Sequence, residues 1–493
     1  MKIIHTEDFQ PSDEDTNLFV YNGLDTCLTY EIYQKLLPLL DADTKVSYRW
    51  SFASQSLALE MMFRGLRVDQ EFVHRRLNEL QAEYAKYNSY LQRLAHAVWD
   101  ADLNPNSPAQ LKALFYETFG LEEIRFRGKV STDRKSLEKL IPKNLYIRPI
   151  AKLILLLHDL GKLISVLQTE IDPDGRMRCS YSVAGTETGR WNSTANAFST
   201  GTNMQNITNK LRELFVADPG RKMAYIDLQA AESKGVGYIS GDPNYIKACD
   251  EGDAHTVVCR LVWPELPWTG DLAHDKKLAS STPFYRENSY RDMGKRGGHG
   301  TNYCGQPPTM AVHLKMPVEV VAHFQQEYFK AFPKIAEWHE RVRDALQLKH
   351  CLVTCFQRKR IFFGRPSDAS TLREAVAFEP QSTIADTANF GGWLVQQRWH
   401  GGLVRCLAQL HDAILVDYPE ELEDELIPEI IKTATIHTPI HGRVMTINLD
   451  CETGWNWAHA DENNPDGMQR FRNHDDRKRT HIPEDNILNW KLD

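Results

Sequence analysis

Two aspartates in this 493-residue chain sit where carboxylates can do metal chemistry. Asp227 ends the apolar run AYIDLQ, with Glu232 five residues further on. Asp412 lies in QLHDAILVDY, where two apolar runs flank a tight His411-Asp412 turn. Strand-borne carboxylates separated by a long insertion can meet on one sheet edge. Two such groups can hold a pair of Mg²⁺ ions, the arrangement used for in-line phosphoryl transfer. The insertion carries Arg291, Lys295, His299 and Tyr303 four residues apart, a cationic and aromatic ladder at helical spacing. Arg291 and Lys295 fall one turn apart on one face and can clamp successive phosphates. Taken singly, an aspartate at a strand end is most often a turn or cap residue. The ordered set is what points to chemistry.

Composition narrows the classes. The net charge of −8 argues against a nonspecific nucleic-acid coat but leaves room for a local basic groove. Basic residues cluster at Arg125, Arg127 and Lys129, at Arg291, Lys295 and Arg296, and at Arg358, Lys359 and Arg360. The nine cysteines have no disulfide-framework spacing, which predicts a reducing cytoplasm. Cys351 and Cys355 after His350 are the nearest approach to a metal cluster and read as small buried thiols. No apolar run is long enough to span a bilayer, so no membrane partner is expected. The acidic start MKIIHTEDFQPSDEDT is no secretory signal. No GxxxxGK[ST] occurs, and glycines 235, 237 and 241 have the wrong spacing for GxGxxG.

The elements that must position these residues are legible in outline. A chain this long divides into several lobes. Residues 18–40 read as a helix with Leu24, Leu28, Ile32 and Leu36 every four positions. Residues 71–99 and 146–170 read as long helices, the second with Leu153, Leu157, Leu160, Ile164 and Leu167 on one face. Between them lie NPNSPAQ and the basic segment near Arg125, so the pair predicts an arm that grips a duplex backbone. Beyond about 180 come short strands and turns. The strand ending in Asp227 leads into a helix, residues 255–350 are mostly helical, and the Asp412 hairpin precedes a strand VMTINLD at 444–450. A polar tail after Trp457 holds Arg477, Lys478, Arg479 and Trp490.

Three blocks resemble the motifs of family A (Pol I-like) DNA polymerases, in the family's order and at its internal spacing. DLQAAE with the later SGD resembles motif A, RDMGKRGGHGTNYCG resembles motif B of phage-type members, and QLHDAILVD resembles motif C. NPNSPAQL, TGRWNST, NMQNIT, DAH at 253–255, REAVAFEPQSTIAD at 373–386 and GWNW add support, so the resemblance covers roughly residues 50–457. It implies an α+β, right-hand polymerase fold: a palm with an antiparallel sheet, and a helical thumb and fingers. The expected divisions are a remnant of a 3′–5′ exonuclease domain (1–45), the thumb and approach to the palm (46–185), palm with motif A (186–250), fingers with motif B (251–364), palm with motif C (365–457) and a C-terminal tail (458–493).

The resemblance also implies roles. Asp227, Asp412 and the Leu228 carbonyl would hold two Mg²⁺ ions, Mn²⁺ being an alternative, for extension of a DNA primer–template with dNTPs. Arg291 and Lys295 would contact the triphosphate, with Lys295 protonating the leaving pyrophosphate. His255 would approach the same phosphates. Tyr303 would stack at the template position. Arg190 and Gln381 would read the minor groove of the new pair, where acceptors occupy similar places in every correct pair. Arg373 would lie near the primer–template and His411 at the primer terminus. Glu232 would be the steric gate that leaves no room for a ribose 2′-hydroxyl. A related single-subunit RNA polymerase and a noncatalytic DNA-binding replication factor are the alternatives. Glu232 argues against the first, and intact Asp227, Asp412, Arg291 and Lys295 argue against the second.

Departures from the pattern matter as much. Gly294, Gly297 and Gly298 join the family's Gly300, at about 1 kcal/mol each relative to alanine, which predicts a soft motif B helix. Cys304 intervenes where the family has Tyr-Gly. Ala377 replaces an asparagine, and Ala413 replaces an acidic residue after Asp412. Tyr21 and Asp25 in YNGLDTCLTYEIY resemble the last exonuclease motif, but no earlier DxE strand completes it. No proofreading by this chain alone is therefore expected. That helix reads either as a packing remnant beneath the thumb or as the dock for a separate exonuclease subunit. Other replisome proteins are candidate partners of the tail, in a host bacterial cytoplasm if the chain is phage-encoded. Finally, His299 stands where the family has Phe or Tyr, and histidine titrates near neutrality. If His299 pairs with Glu232 to hold the gate, discrimination between nucleotide sugars, read as an incorporation ratio, changes between about pH 6 and pH 8. A flat ratio across that range, or an unchanged ratio in His299→Phe, refutes the pairing.

Overall fold

A computed structural model describes residues 14–126, 128–196, 200–250 and 252–471. Arg127 and the tail residues Arg477, Lys478, Arg479 and Trp490 lie outside the described residues. Four long helices lie in the first third of the chain, with shorter ones between the last two: α1 (Glu14–Leu36), α2 (Ala42–Arg64), α3 (Gln70–Trp99) and α4 (Arg148–Leu167). Asp69 caps α3 by accepting from Phe72 N at 3.0 Å, as an N-cap carboxylate should. α3 and α4 share a core of their own, with Leu91, Ala95, Ile154 and Leu157 at its centre. The buried stripe of α4 is rotated from the expected one: Ile150, Ile154 and Leu163 are buried, while Leu153 and Ile164 are only half-buried. The cause is that α4 meets α3 on one side and a short helix, Arg134–Lys143, on another. The basic segment is a small hairpin, Arg125–Phe126 against Lys129–Val130. Among the described residues of α1 no side chain is buried, and Phe19 and Tyr21 are 78% and 62% exposed. That helix is therefore not the packed remnant the sequence suggests.

A five-stranded antiparallel sheet forms the centre. Its strands are β1 (Arg221–Leu228), β2 (Arg405–Leu410), β3 (Ala413–Pro419), β4 (Leu449–Gly454) and β5 (Gln469–Arg470), in the order β2-β3-β1-β4-β5. β3 is apolar and buried along almost its whole length, as expected of a central strand covered on both faces. Its one charge, Asp417, is 1% exposed and is held by Arg405 Nε at 2.8 Å and Arg221 Nη2 at 2.9 Å. A buried carboxylate of this kind persists only when paired. The segment 444–450 is not one strand. Arg443–Thr446 pairs with His437–Ile440 in a separate hairpin, and β4 joins the sheet only from Leu449. Met445 and Ile447 fill a second core while Cys451 packs into the first, the sheet core that holds Ile226, Leu415 and Ile427, so the chain crosses between cores at this point.

The second core lies around α5 (Ala231–Ser240), α6 (Ala254–Val262), a helix spanning 290–302, α7 (Val318–Ala331) and part of α8 (Ala369–Arg398). The 290–302 helix starts at a capping box: Ser289 Oγ accepts from Asp292 N at 3.1 Å, and Asp292 Oδ2 accepts from Ser289 N at 3.0 Å. Its middle, Met293–Gly297, is a wide π turn, so the ladder is not a uniform α-helical one. Its glycines do not leave it loose. A Cβ on Gly294 would stand 2.7 Å from Cys259 Sγ, and one on Gly297 would stand 2.8 Å from Met293 Cε and 2.9 Å from Phe324 Cε1. The glycines let the helix backbone dock against α6 and α7, and packing there replaces the lost helix propensity. Gly297→Ala is accordingly expected to lower stability by about 1–2 kcal/mol, overpacking outweighing the gain in propensity. A urea titration that finds it more stable than the parent would reverse this reading.

Candidate active site

Cross-strand register brings Asp227 and Asp412 together. Ala413 pairs with Asp227 across β3 and β1, which sets the preceding residue, Asp412, at the same sheet end. Leu228 N donates to Asp412 O at 3.2 Å and fixes the turn to the tip of β1. His411 makes that turn with φ +63°, a left-handed conformation uncommon outside glycine and asparagine. The strain is held from below by Gln409, which is 2% exposed. Its Nε2 donates to His411 O at 2.7 Å, its N donates to Tyr181 Oη at 3.1 Å, and its Oε1 accepts from Gln205 Nε2 at 2.6 Å. Neither Gln409 nor Tyr181 was marked by the sequence reading. A polar residue inside the apolar run before the turn was the available signal.

The carboxylates are half-buried and crowded by like charge. Asp227 is pushed up to about 7, first by burial, then by Asp412 and by Asp450 on β4. Asp412 is also raised by burial, against the pull of Arg190 and His411. Asp450 is the direct cross-strand partner of Asp227, and Glu452 follows it on the same strand face. Both escaped the sequence reading, although the alternation in LDCETG marks them. Asp450 accepts from the Gln229 side chain, and Glu452 faces His459 Nδ1 at 3.0 Å.

Across from the pair, Glu232 stands on the first turn of α5. Arg190 Nη2 donates to its Oε1 at 2.7 Å, while His299 Nδ1 lies 3.6 Å from Oε2. Arg190 is thus the hydrogen-bonding partner, and His299 comes within ion-pair reach without a hydrogen bond. The Tyr303 ring meets the His299 ring edge-on at 4.8 Å. Its hydroxyl is buried, facing the Glu232 carboxylate without a well-formed hydrogen bond, and burial raises its pKa strongly.

The cations form a second group. Arg291 is gripped by Asp253, at 3.2 Å from Nε to Oδ2 and 3.2 Å from Nη2 to Oδ1. His255 is pushed down to about 4, chiefly by burial and then by Arg291, Lys295 and His299, so it is neutral near pH 7. Lys295 is exposed and, among the described residues, has no carboxylate within ion-pair distance. Arg373 is exposed and Gln381 half-buried, two turns apart on α8, with Arg373 toward Cys304 beside Tyr303.

The donor set suits a hard divalent ion. Two carboxylates and the neighbouring Leu228 backbone offer oxygen only, and among the described residues no cluster of three or more His, Cys, Asp or Glu side chains could hold a metal. Burial and the neighbouring Asp412 and Asp450 carboxylates raise the Asp227 carboxyl, and a cation held beside it would offset that crowding.

A sequence model of DNA polymerase family A matches residues 74–459. The chain belongs to this family. It is 26% identical over 434 residues to the thermostable DNA polymerase I of Thermus filiformis, covering 83% of this chain and 48% of that protein. It is 26% identical over 387 residues to DNA polymerase I of Helicobacter pylori strain J99, covering 75% and 39%. The chain thus spans about half the length of the curated relatives it matches, or less. Its fold resembles the POL domain of Pol1 from M. smegmatis, solved in complex with DNA primer–template and dNTP. The TM-score is 0.68 at 22% identity, over 82% of this chain and 70% of that one. Family A polymerases generally use divalent metal ions. No helix among the described residues is long and apolar enough to cross a membrane.

A pH prediction follows for the metal-free family A chain. Asp227 holds its proton more tightly folded than unfolded, so its contribution to stability is full below about pH 4 and is lost as pH rises through about 7. Asp227→Asn removes that loss. It is expected to raise the melting temperature in EDTA at pH 8 and to change it little at pH 4. Equal shifts at both values would contradict the assignment.

Proposed function

We propose that this chain is a template-directed DNA polymerase that extends a primer 3′ end with dNTPs. The observation that carries the reading is the strand register that sets Asp227 and Asp412 side by side at one sheet end, together with the separate grouping of Arg291, Lys295 and His255. In this reading Asp227, Asp412 and the Leu228 carbonyl hold divalent ions, Mg²⁺ with Mn²⁺ as an alternative. When bound, such ions activate the primer hydroxyl and offset charge on the phosphates.

The remaining work falls to the chain's own side chains. Arg291 and Lys295 orient the triphosphate, and Lys295, exposed and without an ion-pair partner among the described residues, donates a proton toward the leaving pyrophosphate. Neutral His255 donates a hydrogen bond to the same phosphates without adding charge. Glu232, held by Arg190, blocks the space a 2′-hydroxyl would need. That restraint favours the DNA-synthesising reading over the RNA polymerase alternative. Tyr303 stacks at the template base, His411 meets the primer terminus, and Arg190, Gln381 and Arg373 touch the primer–template. Residues 46–185 serve as the thumb and approach to the palm, 186–250 and 365–457 as palm, and 251–364 as fingers. Residues 458–471 go with the palm and not with the expected tail, because β5 pairs with β4 and Met468 packs in the core beside the sheet; the rest of 458–493 lies outside the described residues. A separate exonuclease subunit or another replisome protein has a ready surface in α1, whose apolar side chains are uncovered.

The test is primer extension with a labelled primer. Asp227→Ala and Asp412→Ala are each expected to reduce single-turnover extension by about a thousandfold or more, while primer–template binding changes little. Extension with rNTPs as fast as with dNTPs would favour the RNA polymerase alternative. No extension by the parent chain would favour a noncatalytic replication factor.

A further inference from the structure

Asp253 has no role in the site as described so far, yet it makes the most extensive charged contact there. It stands immediately before α6, 12% exposed, and its backbone carbonyl accepts from Thr256 N at 3.0 Å and Val257 N at 3.1 Å. Its carboxylate gathers Thr256 Oγ1 at 3.1 Å, Arg291 Nε at 3.2 Å, Arg291 Nη2 at 3.1 Å and Lys276 Nζ at 3.6 Å. Burial alone would raise this carboxyl, but Arg291, Thr256 and Lys276 together hold it below the usual range, so it is ionised.

The geometry of the grip is informative. A guanidinium is a planar fork with two edges that can each face an oxyanion. Asp253 takes the Nε/Nη2 edge. The Nη1/Nη2 edge stays uncommitted among the described residues, and the Arg291 side chain is 26% exposed. A flexible arginine loses rotamer freedom on meeting phosphate, and a carboxylate that has already fixed one edge removes much of that cost. Through its backbone carbonyl Asp253 begins the helix that carries His255, and a side-chain substitution leaves that carbonyl in place, so the carboxylate bears on Arg291.

We infer that Asp253 is a positioning residue for the nucleoside triphosphate: it holds one edge of Arg291 so that the other is presented to a phosphate. The inference rests on the proposed contact between Arg291 and the triphosphate. The opposing account makes Asp253 a stand-in anion that the triphosphate must displace. The two differ in sign. A positioning carboxylate strengthens nucleotide binding, and a competitor weakens it.

The experiment uses the full chain with a primer–template. Nucleotide affinity is measured by dNTP titration of the complex with a dideoxy-terminated primer, and rates by single-turnover extension of a normal primer. Asp253→Asn is expected to weaken dNTP binding roughly tenfold, the equivalent of one charge-assisted hydrogen bond, with a smaller change in maximal rate. Asp253→Glu keeps the charge but shifts the grip by a methylene and should fall between the parent and Asp253→Asn. In an Arg291→Ala background, Asp253→Asn should add nothing. Tighter dNTP binding in Asp253→Asn, or an additive loss in the double variant, overturns the inference. If Asp253→Asn does not fold, parent-like affinity in Asp253→Glu overturns it instead. Failure of the parent chain to bind dNTP or extend a primer would sink the polymerase reading itself, a result separable from any effect of Asp253.

Discussion

The structure depends on forcing two carboxylates to one end of a sheet, where they repel. The β1–β3 register does the forcing, and the strained turn at His411 completes it. The restraints that oppose repulsion lie away from the acids. Gln409 and Tyr181 brace the turn from the core, and Arg221 and Arg405 clamp Asp417 at the opposite end of the same strands. The sheet therefore holds a paired buried charge at one end and two crowded carboxylates at the other.

Glu232 is where the two halves of the site communicate. It belongs to the helix that follows Asp227, it takes a hydrogen bond from Arg190, and it faces both His299 and the Tyr303 hydroxyl. Three side chains from two other segments thus converge on one carboxylate. The expected partner His299 is within ion-pair distance of it, and an arginine forty-two residues upstream reaches it more closely.

Much of this was legible in the chain. The long helices, the Asp227 strand, the Asp412 hairpin and the motif B helix follow from local periodicity and turn chemistry, which act over a few residues. Features decided by tertiary contact were not. The split of 444–450 depends on which core each side chain enters. Asp450 and Glu452 gain meaning only through a partner strand more than two hundred residues away in sequence. The motif B glycines looked like a cost because propensity is a local quantity, and the benefit came from Cys259, Met293 and Phe324 pressing close. The buried stripe of α4 shifted for the same reason: its neighbours choose the face.

Those glycines carry a mechanical consequence. With no side chains to space them, the backbone bearing Arg291 and Lys295 is in near-direct contact with α6 and α7. Close-packed surfaces of this kind slide or switch as blocks and do not bend smoothly. Any swing of the 290–302 helix must drag its two neighbours along as a single lever. A perturbation on the outer surface of α7, far from the carboxylates, would then be felt at the cationic end of the site.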